Sequence, residues 1–277
     1  MVSTANQLNY AKIVWLAIKR KALWNRLAKS LGIVYIAEYP KSGGTWLGQI
    51  LSEYYGLPFP RNTMSPPLGR SVLHGHEMPK SHFDKGFVMV RDGRDVVISF
   101  YFHYLFPNDW NQHSRVMQHR KRLGYKDFQD VRENLPSFID YLDEHWGRQM
   151  NHFTWSEFIV KWFAHAENHE QVSVVKYEDM LTHPLEALSL AIEAVSGEAV
   201  DNERLAGAIE KYTFSQLSGR TPGTEDRSSF IRKGVAGDWV NYLSPLAAER
   251  FDALSGDALI YSGYEKDRTW VGKVGAE

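Results

Sequence analysis

Three features of the sequence predict an α/β fold built on a central, mostly parallel sheet with helices on both faces. Short β-branched runs alternate with amphipathic helical stretches along the chain. The runs are apolar enough to be strands buried from both sides. Two of them end in loops rich in glycine and charge, where open α/β sheets place their ligands. At 277 residues, 43% hydrophobic and 23% charged, the chain is expected to form a single domain with a substantial core.

Composition narrows the function. Lys plus Arg (32) nearly balances Asp plus Glu (33), so no global charge draws the chain to nucleic acid, and an anionic ligand needs a local site. There is no cysteine, which excludes disulfides, thiolate nucleophiles and Cys-based zinc sites. The scattered histidines show no ligand-like cluster, so no metal is expected. No apolar run approaches the ~18 residues that span a bilayer. Ile13 to Ile18 is too short for a secretory signal, which makes the cytoplasm the expected location.

Taken in order, residues 1–30 read as a basic amphipathic helix. Lys12, Lys19, Arg20, Lys21, Arg26 and Lys29 occur with no acid, while Ile13, Leu16, Ala17, Leu23, Trp24 and Leu27 share a face that Arg20 interrupts. Such a helix either packs on the core or lies on an anionic membrane surface. Ile33 to Ala37 reads as a first strand, followed by the loop Glu38-Tyr39-Pro40-Lys41-Ser42-Gly43-Gly44-Thr45-Trp46. Leu47, Ile50, Leu51 and Tyr54 then repeat at helical spacing up to a stop at Gly56. Ser71 to Leu73, ending at His74-Gly75-His76, is a second strand, and Phe87 to Val90 a third. The helix after Arg91-Asp92-Gly93-Arg94-Asp95 gathers Val96, Val97, Phe100, Tyr101 and Tyr104 on one face. Residues 107–151 are polar, aromatic and poorly periodic, and read as a partly helical lid or insertion. Trp155 to Ala166 is helical, Val172 to Val175 a further strand, and the rest mostly helix apart from a loop over 218–229.

Three blocks carry candidate chemistry, and each has a bland alternative. Between strand and helix, Lys41 to Trp46 would converge backbone N–H groups on phosphate oxygens at the positive end of a helix, with Ser42 and Thr45 adding hydroxyls and Lys41 a mobile charge. It departs from the NTPase pattern G-x-x-x-x-G-K-[ST] because its lysine precedes the glycines. A plain strand-to-helix glycine turn explains it equally well. Arg91, at a strand's carboxyl edge, and Ser99, one turn into the next helix, would clamp a second phosphate. Alternatively Arg91 pairs with Asp92 or Asp95. Arg232 and Lys233, after a flexible loop, would close over an anion or simply face solvent.

Together these blocks resemble the PAPS (3'-phosphoadenosine 5'-phosphosulfate)-dependent sulfotransferases of the cytosolic type. Tyr39-Pro40-Lys41-Ser42-Gly43-Gly44-Thr45-Trp46 is similar to that family's YPKSGTTW loop, and Val90 to Ser99 to its 3'-phosphate motif. Val175-Lys176-Tyr177-Glu178-Asp179-Met180 matches the block that helps hold the adenosine. Arg232-Lys233-Gly234 with Gly237-Asp238-Trp239 matches the closing RKGxxGDW segment. All four stand in the family's order.

The resemblance implies a P-loop-NTPase-like sulfotransferase fold, three layers deep. It implies PAPS as cosubstrate, PAP as product, and a small-molecule, sugar or lipid acceptor with a hydroxyl or amine. Lys41, Ser42, Gly43, Gly44, Thr45 and Trp46 would hold the 5'-phosphosulfate, with Trp46 and Phe214 on either side of adenine and Tyr177 beside the adenosine. Arg91, Ser99, Arg232, Lys233 and the backbone of Gly234 would grip the 3'-phosphate. His76 would be the general base and Lys41 the donor to the leaving oxygen. Two departures stand out. The family's Lys-Thr-His reads His74-Gly75-His76 here, which puts His74 in a lysine's place as a donor to the sulfate. The dimer signature KxxxTVxxxE falls on Val240, Ser244, Pro245 and Glu249, of which only the glutamate survives, leaving the oligomer open. An NTP-dependent transferase and a non-catalytic nucleotide sensor are the rival functions.

Overall fold

In the computed structural model, residues 15, 16, 18, 19, 30–60, 67–81, 83–109 and 113–275 are described, the side chains of 149–151 excepted. Four strands stand parallel in the order β2-β1-β3-β4: β1 (Val34–Glu38), β2 (Val72–Gly75), β3 (Gly86–Val90) and β4 (Val172–Lys176). β1 sets Val34 against Val72 on one side and Ile36 against Phe87 on the other, and β3 sets Val88 against Val174.

Successive strand residues enter opposite cores, as the period of two requires. Tyr35, Ala37, Val88 and Val90 pack with Phe100, Phe138, Phe158 and Trp162 on one face. Ile36, Phe87 and Met89 pack with Leu47, Ile50, Leu51, Leu188 and Ile192 on the other. The second face is covered by α1 (Gly44–Tyr55), α6 (Tyr177–Thr182), α7 (Pro184–Ser196) and α8 (Asn202–Lys211). The first is covered by α2 (Gly93–Leu105), α4 (Val131–Tyr141), α5 (Trp155–Glu167) and α10 (Pro245–Tyr261). Leu47 and Leu51 are fully buried. Truncating either to alanine would cost about 2–5 kcal/mol.

Local signals fix the helix ends. Gly56 closes α1 in the left-handed conformation. Asp92 caps α2 by accepting from the Arg94 N–H, and Thr154 with Glu157 forms a capping box on α5.

Segment 107–151 is the stretch read from the sequence as a partly helical lid or insertion. Among its described residues it forms α3 (His113–Leu123), α4 and a π-helix (Leu142–Asn151). Val131, Leu135, Phe138, Ile139 and Leu142 belong to the first core, so this stretch is part of a covering layer. The amphipathic N-terminal helix falls mostly outside the described residues; within it Leu16 is buried, while Trp15 and Ile18 are exposed. No helix among the described residues is long and apolar enough to cross a membrane.

The strand order positions the site. After β1 the chain winds through α1 to β2 on one side, and β3 then lies on β1's other side. The carboxyl ends of β1 and β3 therefore flank a topological switch point, where such sheets open a crevice.

Candidate active site

The loop leaving β1 turns sharply. Lys41 (φ +73°) and Gly43 (φ +104°) both take left-handed backbone, and α1 starts at Gly44. Glycine is required at both positions 43 and 44. A Cβ on Gly43 would stand 2.9 Å from the Met89 methyl and from the Tyr177 ring, and one on Gly44 would stand 2.4 Å from the Glu38 carboxyl carbon. Glu38 itself is buried at the end of β1 and accepts the Gly44 N–H. Trp46 is anchored by its indole N–H, which donates to the Tyr212 carbonyl at 2.7 Å, and its ring meets Tyr177 edge-on at 5.7 Å. Lys41 Nζ sits 3.9 Å above the centre of the Phe230 ring.

At the end of β3, Arg91 donates from Nη2 to the Val235 carbonyl at 2.9 Å and to Asp95 Oδ2 at 3.3 Å. Its guanidinium lies 4.3 Å over the Tyr177 ring. Asp95 also accepts the Gly237 and Trp239 N–H groups, at 2.8 and 3.0 Å, so one carboxylate docks the 232–239 loop on the start of α2. In that loop Arg232 pairs with Glu225 and Asp238, and Lys233 with Asp238. The alternative for Arg91, pairing with Asp95, thus holds in part, while Arg232 and Lys233 pair with carboxylates instead of simply facing solvent. Each nevertheless faces the cavity described next.

A cavity of about 330 Å³ brings the predicted residues together. Lys41, Gly43, Gly44, Thr45 and Trp46 line it from the β1 loop, with Tyr177 behind. Arg91, Ser99, Phe214, Arg232, Lys233 and Gly234 line the facing wall. Arg91 Nε on that wall is buried with no hydrogen-bond partner, and so is Ser42 Oγ in the β1 loop, although Ser42 does not itself line the cavity. Orphaned donors beside a glycine turn and a cationic wall suit a polyanionic ligand.

Electrostatics agree with that chemistry. Loss of hydration pushes Lys41 down to about 7, against the pull of Glu38 and with help from Arg91 and Arg232. A bound anion would restore its charge. Burial also lowers His76, while the Glu38 charge opposes the shift. Glu38 keeps a pKa below the usual carboxylate value despite burial, because His74, His76 and the Gly44 N–H favour its anion.

His74 and His76 fall together as two-residue spacing predicts, with rings 6.0 Å apart, but they converge on Glu38. His74 Nδ1 lies 3.0 Å from Glu38 Oε1, buried against the Phe59 ring. His76 Nδ1 lies 3.2 Å from the Glu38 carbonyl and remains partly exposed. Neither lines the 330 Å³ cavity, although Glu38 does. Among the described residues no group of His, Asp or Glu is arranged to hold a metal.

The sulfotransferase domain model matches residues 60–263, most of the chain. The chain belongs to the sulfotransferase family. Among curated sulfotransferases it is 22% identical to mouse sulfotransferase 1B1 over 278 residues, covering 83% of this chain and 85% of the mouse protein. It is 24% identical to bovine sulfotransferase 1E1, over 78% and 80% of the two chains. Among solved structures it is similar to mouse sulfotransferase SULT7A1 complexed with PAP (TM-score 0.60, 20% identity, 87% of each chain). It is also similar to retinol dehydratase in a complex with retinol and PAP (TM-score 0.57, 15% identity, 83% of this chain and 81% of that one).

Sequence reasoning passed over several residues of this sulfotransferase site. Glu38 ends a strand and precedes the loop, and the signal available was an acid at the close of an apolar run. Asp95 was offered only as an alternative partner of Arg91, and Glu225, which pairs with Arg232, gave no signal beyond ordinary charge balance.

Proposed function

We propose that this sulfotransferase moves a sulfuryl group from PAPS to a hydroxyl or amine of a small-molecule, carbohydrate or lipid acceptor, releasing PAP. The observation that carries the proposal is the meeting, in one cavity, of the Lys41–Trp46 loop with the wall of Arg91, Ser99, Arg232 and Lys233. The loop suits a 5'-phosphosulfate, and the wall suits a 3'-phosphate that ATP lacks. Trp46, Phe214 and Tyr177 offer aromatic faces for adenine.

PAPS supplies the sulfuryl group. Within this assignment His76 Nε2 takes the acceptor proton as the acceptor oxygen or nitrogen bonds to sulfur. The sulfur–oxygen bond to the 5'-phosphate breaks, its electron pair stays on that phosphate, and Lys41 stabilises the charge. His76 then returns its proton to solvent. Segment 107–151 is assigned to acceptor choice, being close to the Lys41 side of the cavity through α2. Resemblance to the cytosolic-type family supports a cytoplasmic location. Residues 1–30 would give peripheral contact with anionic lipid, read by salt-sensitive vesicle co-sedimentation.

Thermal unfolding with PAP or ATP at equal concentration tests the donor assignment. PAP should stabilise in proportion to ln(1 + [L]/Kd), and equal stabilisation by ATP would overturn the 3'-phosphate clamp. Radiolabelled PAPS with an acceptor panel read by mass shift tests turnover and names the acceptor class.

A further inference from the structure

Three groups converge on the Glu38 carboxylate, which is only 4% exposed. The Gly44 N–H donates to Oε2, and His74 Nδ1 lies 3.0 Å from Oε1. His76 Nδ1 lies 3.9 Å from the same Oε1 while bonding to the Glu38 carbonyl at 3.2 Å. A carbonyl can only accept, so His76 Nδ1 carries the ring proton and Nε2 keeps the lone pair. One residue therefore sets the tautomer through its backbone and places a negative charge beside the same ring through its side chain.

We propose that Glu38 is a positioning residue for sulfuryl transfer: it fixes His76 in the Nδ1–H tautomer, and its carboxylate stabilises the imidazolium formed when Nε2 takes the acceptor proton. The inference rests on His76 being the base. His74 braces the carboxylate from the other side through its Nδ1. A neutral glutamine would satisfy the Gly44 N–H equally well, so the ionised carboxylate itself needs a reason. Its surroundings supply one. Burial drives His76 toward a weaker base, the Glu38 charge opposes that, and His74 adds to the burial effect. On the loop side Glu38 also acts on Lys41, helping to retain its proton. A single carboxylate thus sustains both the base and the cation of the transfer.

Glu38→Gln keeps the size and the acceptor for Gly44 and removes the charge. Nitrogen NMR of the His76 ring in the full chain needs no acceptor and is the deciding measurement. The wild type should show Nδ1–H with an unprotonated Nε2, and Glu38→Gln should titrate His76 at lower pH. With the acceptor that the screen identifies, kcat of Glu38→Gln should fall about tenfold and the acid limb of kcat should move to lower pH. An Nε2–H tautomer in the wild type, or an unmoved His76 titration in Glu38→Gln, overturns the proposal. If Glu38→Gln does not fold, the wild-type tautomer decides alone. His76→Ala separates the two levels. Full activity of His76→Ala removes the base assignment itself, whereas an inactive His76→Ala beside an unmoved titration in Glu38→Gln removes only the role of Glu38.

Discussion

Gly234 packs directly against the ring of Phe214: a Cβ built on Gly234 would stand 2.0 Å from Phe214 Cδ2, and its φ of +66° is left-handed. Both residues line the 330 Å³ cavity, so this contact fixes how the 232–234 turn meets the aromatic wall. Gly234→Ala should therefore displace the Phe214 ring and strain the turn by about 1–2 kcal/mol. We expect PAP affinity to fall about tenfold or more by calorimetry, with a modest drop in Tm. Adding Phe214→Ala should recover part of the Tm loss, because the clash disappears with the ring. Strictly additive losses would mean that the two residues do not bear on one another.

Arg91→Ala should weaken PAP far more than adenosine 5'-phosphosulfate, which lacks the 3'-phosphate. Losing one charge-assisted contact is worth about 2 kcal/mol, roughly thirtyfold in affinity. Arg91 also holds the Val235 carbonyl, so some general loosening of the loop accompanies the change. That loosening affects both ligands alike, and the ratio of their losses isolates the phosphate contact. A ratio near one would assign Arg91 to loop docking only.

Much of this arrangement was legible in the sequence because backbone geometry dictates it. The β-branched run before Lys41, the helical spacing of Leu47, Ile50, Leu51 and Tyr54, and the stop at Gly56 gave β1, loop and α1 to within a residue or two. Arg91 and Ser99 meet in one cavity because a strand end and the first turns of its helix leave them little choice. The rest depends on contacts between distant segments. Asp95 sits one helical turn from Arg91 and was offered as its partner, but its acceptance of the Gly237 N–H, from far along the chain, was not readable. In segment 107–151 a proline inside α4 (Pro136) and a following π-helix blur the helical period, so the contribution of this stretch to the first core was not legible. Glu38 was hidden for another reason: its partners His74 and His76 lie on the neighbouring strand and beyond it, and strand order was not readable from periodicity.

Asp238 is 3% exposed and bonds Arg232 Nη2 at 2.6 Å and Lys233 Nζ at 2.5 Å. Asp238→Asn keeps one acceptor oxygen but leaves two cations short of charge. The free protein should lose about 2 kcal/mol, seen as a lower Tm. PAP would replace the missing negative charge, so it should raise the Tm of Asp238→Asn by more than it raises that of the wild type. An equal or smaller rise would place Arg232 and Lys233 outside the anion's reach.

Lys41 makes PAP binding depend on pH, and the sign follows from its shift. Burial holds its pKa at about 7 instead of 10.5, so in the free protein the ammonium dominates below pH 7 and the neutral amine above it. In the unfolded chain it stays charged up to about 10.5, so its contribution to stability rises with pH from about 7 to 10.5. Ligand binding runs the other way. An anionic ligand favours the ammonium and raises its pKa, so binding takes up a proton in the window above pH 7. Affinity should be full below pH 7 and decline above it, by at most about tenfold per pH unit. Calorimetry in buffers of different ionisation heat should report proton uptake at pH 8, approaching one proton per PAP. Lys41→Arg, charged throughout, should flatten the pH dependence while still binding PAP. Uptake near zero at pH 8 in the wild type would mean that Lys41 already holds its proton in the free cavity, or does not meet the ligand at all.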